Sequence, residues 1–96
     1  MASSRDYLEY VFEQINLEDI SFRPMMGEFI IYYKGKVIGG IYDDRLLVKK
    51  TSNNLKYNME ESIPYVGGKA MYLISEVDNT MLLKDIIMDT YEGLIG

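Results

Sequence analysis

Residues 22–51 read FRPMMGEFIIYYKGKVIGGIYDDRLLVKKT, and the fold depends on how this stretch pairs with itself. Tyr, Ile, Val and Phe dominate it, and Lys34-Gly35 and Asp43-Asp44 interrupt it. β-Branched and aromatic runs broken by such dipeptides are the signature of strands joined by two-residue turns. Strands are expected at 28–33, 36–42 and from Arg45 on. Ser21–Met25 reads as a short first strand, placed at an edge because Pro24 has no N–H to give a ladder. Gly27 marks a bulge or sharp bend after it.

An uninterrupted register across Lys34-Gly35 puts Phe29 opposite Gly40 and Ile30 opposite Gly39. The next turn puts Ile41 opposite Leu46 and Gly39 opposite Val48. Period-two alternation then defines two faces. Glu28, Ile30, Tyr32, Val37, Gly39, Ile41, Leu46 and Val48 form the face expected to lie under helices. Phe29, Ile31, Tyr33, Ile38, Tyr42, Arg45, Leu47 and Lys49, with Gly40 among them, form the other. An open sheet face is normally polar, and this one is rich in apolar and aromatic side chains. These eight residues are therefore the candidate interaction face, to be covered by a protein partner, a second copy, a ligand, or the chain's own final helix and 60–70 loop.

Outward from the strands, Ser3 or Ser4 can cap a helix over about 4–16, with Tyr7, Leu8, Val11, Phe12 and Ile15 on one stripe. Thr51 or Ser52 can open a short polar helix. Residues 63–68, IPYVGG, form a loop, and a last strand is expected over Ala70–Ser75. Asp78 or Asn79 caps a final helix running to about Leu94, with Gly93 and Gly96 at its fraying end. The expectation is an α+β domain of two layers, an antiparallel sheet of about five strands with helices packed on it, in the order α-β-β-β-β-α-β-α.

Composition narrows the chemistry. The 96 residues suit one domain, 48% are hydrophobic and 26% charged, and there is neither cysteine nor histidine. Disulfides, thiolate metal sites, Ser-His and Cys-His nucleophiles and imidazole bases are thereby excluded. No segment reads as a signal peptide or membrane span, so no membrane role and a cytoplasmic location are expected. The net charge is −5, which disfavours nucleic-acid coating. The acids concentrate in the flanks, whereas the central strands are basic.

Each remaining constellation has a structural reading beside its functional one. Asp43-Asp44 are turn residues before they are an acid pair, since neighbours on an extended chain point apart. Gly67-Gly68-Lys69 lacks the spacing and the following helix of a phosphate loop. Arg45, Lys49 and Lys50, with Arg23, beside Tyr33 and Tyr42 could serve single-stranded nucleic acid, or could simply guard a sheet edge. Glu28 on the covered face needs a partner, with Arg23 the expected ion pair. The methionines Met25, Met26, Met71, Met81 and Met88 are expected to fill the core. No catalytic residue, metal ligand or cofactor is assigned.

The ordered series Met25-Met26-Gly27-Glu28, Tyr32-Tyr33-Lys34-Gly35-Lys36, Asp43-Asp44-Arg45-Leu46 and Pro64-Tyr65 with Gly67-Gly68-Lys69 resembles the N-terminal domain of the TfoX/Sxy family, over nearly the whole chain. The resemblance implies a two-layer fold like that of type III secretion chaperones. It also implies a link to bacterial competence and transcription regulation, where full-length members assist the cyclic-AMP receptor protein. Ending at Gly96, the sequence leaves no room for their C-terminal helical domain, so a stand-alone domain is expected, with that regulatory role in doubt. The functional expectation is a non-enzymatic protein-interaction module, self-associating or binding a protein partner. A nucleic-acid-binding regulator is the alternative, and a small ligand binder or enzyme stands behind both.

Overall fold

The computed structural model describes residues 3–96. The chain runs α1 (Arg5–Ile15), β1 (Ile20–Met25), β2 (Glu28–Tyr33), β3 (Lys36–Tyr42), β4 (Arg45–Val48), a 3₁₀ turn (Leu55–Tyr57), β5 (Glu60–Ser62), β6 (Met71–Leu73) and α2 (Thr80–Ile95). This is the expected α+β class. Two details differ: the polar helix after Thr51 shrinks to a single 3₁₀ turn, and an extra strand makes the sheet six-stranded, ordered β1-β2-β3-β4-β6-β5 with every pairing antiparallel. With only Leu55 and Met59 as an apolar pair, the 51–62 stretch has too narrow a stripe to hold a longer helix against the core. β1, with Pro24, is an edge strand as expected.

Three successive turns share one backbone solution. Met26-Gly27, Lys34-Gly35 and Asp43-Asp44 each place two residues at positive φ, between 51° and 86°. This is the turn type whose twist matches the flanking strands. The last pair does so without glycine, and its amides are tied down locally. Asp43 N–H donates to Glu28 Oε1 (3.1 Å), Asp44 N–H donates to Ser3 Oγ (3.0 Å), and Asp44 Oδ1 accepts from Ser4 N–H (2.8 Å). Ser4 in turn caps α1, its Oγ accepting from Tyr7 N–H. One turn thus fastens the start of the helix to the sheet.

The register departs from the uninterrupted pairing at one residue. Tyr33↔Lys36 and Tyr32↔Val37 follow it, but the next pair is Ile31↔Gly39, leaving Ile38 as an extra residue in β3. Such a bulge shifts everything beyond it by one and exchanges the faces. Phe29, Ile41 and Leu46 form one row, and Ile31, Gly39, Val48 and Tyr72 the next. These rows, with Tyr33 and Ile38, meet Leu8, Val11 and Ile15 of α1 and Leu83, Ile86 and Ile87 of α2 in a single core. Gly39 is required there because a Cβ would lie 2.1 Å from the Leu47 carbonyl oxygen.

The core explains the methionines as well. Met25, Met26, Met81 and Met88 are exposed, contrary to the expectation of core filling. Met26 occupies a turn, and the buried stripe of α2 is Leu83, Ile86, Ile87 and Thr90, which leaves Met81 and Met88 on its other sides. Nor does Gly93 mark a frayed end. It lies within α2, where a Cβ would come within 2.5 Å of Thr51 Oγ1, so its absence lets the 51–54 segment press against the helix.

Candidate functional site

The bulge divides the candidate interaction face. Phe29, Ile31, Tyr33 and Ile38 belong to the core beneath the helices, so they present no surface. Tyr42, Arg45 and Leu47 remain on the opposite, outer side of the sheet, and Lys49 lies just beyond the end of β4. The reason is physical: β2 is apolar on both faces, so alternation alone could not place it. The outer face instead carries Ile30, Tyr32, Val37, Gly40, Tyr42, Leu47, Met71 and Leu73 by the observed register. Both helices insert their buried residues into the core on the other side.

Part of this outer face is roofed by the loop between β5 and β6. Arg45 does the fastening. Its guanidinium donates to Ser62 Oγ, to the Ile63 carbonyl (3.1 Å) and to the Pro64 carbonyl (3.3 Å), and its Nε donates to the Tyr42 carbonyl (3.1 Å). No carboxylate pairs with it among the described residues. A guanidinium committed to four fixed acceptors is a clamp, and that removes Arg45 from the basic set proposed for nucleic acid.

Under the roof, Tyr42 packs over Gly40, where a Cβ would meet its ring at 2.8 Å, and its ring centroid lies 6.1 Å from that of Tyr65. Burial first, then Tyr65 and Glu28, push the Tyr42 hydroxyl above its ordinary pKa, so it stays neutral well beyond physiological pH. Leu47 is fully covered at 0% exposure. The loop's own apolar residues are not: Ile63 is 50% exposed, Tyr65 58%, and Val66 wholly so. An exposed apolar tip on a loop held by a half-buried arginine clamp is unusual for a solvated connection.

Between the loop and the sheet lies a cleft of about 810 Å³ lined by Val37, Tyr42, Pro64, Tyr65, Met71 and the lysines 49, 50 and 69, together with the Gly67-Gly68 backbone. No acidic side chain lines it. Lys50 is partly committed, 3.0 Å from Glu61 and with its Nζ 5.5 Å from the Tyr72 ring centre. Lys49 and Lys69 have no ion-pair partner among the described residues. Glu28 takes no part, since Ser3 and the Asp43 amide occupy its carboxylate, not Arg23 as expected. Among the described residues no group of acids is arranged to hold a metal ion, and no helix is long and apolar enough to cross a membrane.

The 60–70 loop is among the covers expected for this face, and residues 62–65 of it do roof the part that carries Tyr42 and Arg45. The available signal was three apolar residues, Ile63, Tyr65 and Val66, in a connection that should be polar. No family model, no curated protein and no solved structure matches the chain.

Proposed function

We propose that the chain is a protein-interaction module whose contact surface is the outer sheet face together with the exposed tip of the 63–68 loop. One observation carries this: Ile63, Tyr65 and Val66 stand exposed beside an apolar sheet face opposite the one on which the buried residues of both helices pack. Isolated exposed apolar residues are ordinary, but a contiguous group of them is typical of a surface that meets another protein. The absence of cysteine and histidine and the commitment of Arg45 and Glu28 to structural bonds leave little to run a reaction. The likeness of the strand and turn series to the N-terminal domain of TfoX/Sxy regulators fits a module of this kind. In that setting the contact would serve transcriptional control in the cytoplasm.

The test is the mass of the chain in solution at micromolar concentration, together with capture of partners from native extract, for the wild type and for Val66→Asp. Concentration-dependent dimerisation, or a captured protein released by Val66→Asp, supports the proposal. A chain that stays monomeric and captures nothing sensitive to Val66 removes it.

A further inference from the structure

The cleft beneath the loop carries a different inference, although it shares Tyr65 and part of the outer sheet face with the contact surface proposed above. It concentrates three lysines in a chain whose net charge is −5, and no carboxylate lies among its walls. Two of those lysines have no anionic partner among the described residues. The remaining walls are two tyrosine rings, apolar side chains that include Val37, Met71 and Leu94 of α2, and glycine backbone. Its volume falls within the range of small-ligand sites, which combine mostly apolar walls with a few charged groups that orient the ligand.

We infer that this cleft is a binding site for a small organic anion of nucleotide type, with a flat ring against the Tyr42–Tyr65 pair and a phosphate facing Lys49 and Lys69. Each half of the ligand answers a different half of the site. A flat ring gains from stacking on exposed Tyr65, an interaction open to any base because every base has a π-face. A phosphate meets two cations that its arrival neutralises, while Lys50 stays with Glu61. Arg45 acts as a positioning residue, because it fixes the Ile63–Pro64 backbone that carries Tyr65 into the wall. The size of the cleft and the acidic flanks of the chain favour a free nucleotide over a strand, since a strand needs a continuing basic track.

The experiment titrates AMP, adenosine and inorganic phosphate separately into isotope-labelled protein and follows the backbone amide signals. AMP is expected to move Gly67, Gly68 and Lys69, and to bind at least about tenfold more tightly than adenosine or phosphate alone. Lys49→Ala and Lys69→Ala, both at exposed positions, should each weaken AMP by about fivefold, and Tyr65→Ala by about tenfold. Lys84→Ala on α2 should leave it unchanged. Raising salt should weaken AMP and not adenosine. Equal binding of AMP and phosphate, shifts centred away from the loop, or indifference to Lys49 and Lys69 would overturn the inference. So would a short single-stranded oligonucleotide that binds more tightly than AMP at the same salt. None of these outcomes depends on whether Val66 meets a protein.

Discussion

Removing the side chain of Asn54 should cost more stability than any other polar truncation in this domain, because three separate segments converge on it. Asn54 is 0% exposed. Its Oδ1 accepts from Thr51 N–H (3.0 Å), and its Nδ2 donates to the Lys49 carbonyl (2.8 Å) and to Thr90 Oγ1 (2.9 Å). Thr90, equally buried, donates its own hydroxyl hydrogen bond to the Ile86 carbonyl (2.7 Å). These bonds join the end of β4, the loop after it and the middle of α2. At about 1 kcal/mol per bond, with a further penalty for each orphaned buried partner, Asn54→Ala should cost about 3–4 kcal/mol. Thr90→Val keeps the shape, forfeits one acceptor for Asn54, and should cost about 1–2 kcal/mol. Domains of this size have about 5–14 kcal/mol in total, so the first variant should lower the melting temperature by about 12–25 °C. The decisive measurement is the double mutant by urea unfolding. If Asn54 and Thr90 hold each other, the combined loss falls short of the sum by about 1 kcal/mol. Additivity within about 0.5 kcal/mol would show that the bond contributes nothing and refute the reasoning.

Four further outcomes follow from the same contacts. Gly93→Ala should destabilise by about 1–2 kcal/mol in a thermal melt: the roughly 1 kcal/mol of helix propensity gained is outweighed by a Cβ within 2.6 Å of a Thr51 already bonded to Asn54. Gly39→Ala should cost at least about 3 kcal/mol or abolish folding, since the obstacle is Leu47 backbone and not a movable side chain. Asp43→Asn should stabilise by about 0.5 kcal/mol, because asparagine tolerates positive φ better and one charge leaves the neighbourhood of Asp44 and Glu28. Tyr57 and Asp89 should shape the pH dependence of the urea midpoint. The Tyr57 hydroxyl donates to Asp89 Oδ2 (2.5 Å). That bond, followed by Lys56 and against opposing burial, holds Asp89 below the carboxylate range; burial and then the same bond raise Tyr57 well above 10. The Asp89 contribution is therefore present above about pH 4 and lost as acid protonates the folded state. The Tyr57 contribution is intact below about pH 10 and lost above it. Tyr57→Phe should flatten the alkaline loss, and an unchanged alkaline limb would count against the pairing.

Much of the fold was legible because local chemistry and tertiary structure agree. The Ser4 and Asn79 caps, the strands at 28–33 and 36–42, the two-residue turns and the edge position of Pro24 all stand where turn and capping preferences put them. The site was less legible, and a single residue accounts for most of the difference. β2 reads EFIIYY, apolar on both sides, so no polar alternation reports a slip in its register. Ile38, the extra residue, sends Phe29 and Ile31 inward and leaves Ile30 and Tyr32 outside. Two signs of it were present: strands of six and seven residues flank a two-residue turn, and a Gly39-Gly40 pair interrupts a strand, which is a common mark of a bulge.

The bulge links fold to function more closely than that slip alone suggests. With an uninterrupted register Gly39 and Gly40 would still lie on opposite faces, but Gly40 would sit among Phe29, Ile31 and Ile38. The shift leaves Gly40 on the outer face but pairs it with Ile30 in place of Phe29, and there the Tyr42 ring packs over it and makes one wall of the cleft. Gly39, turned inward, allows β4 to approach until the Leu47 carbonyl oxygen leaves no room for a Cβ, and Lys49 and Lys50, which follow that strand, line the cleft. Adjacent glycines at this point thus serve two layers at once, one permitting close strand packing and the other seating an aromatic wall. A sheet with one face sealed by helices and the other roofed by a clamped loop is the consequence, and the exposed tip of that loop is where the chain has apolar surface left to offer.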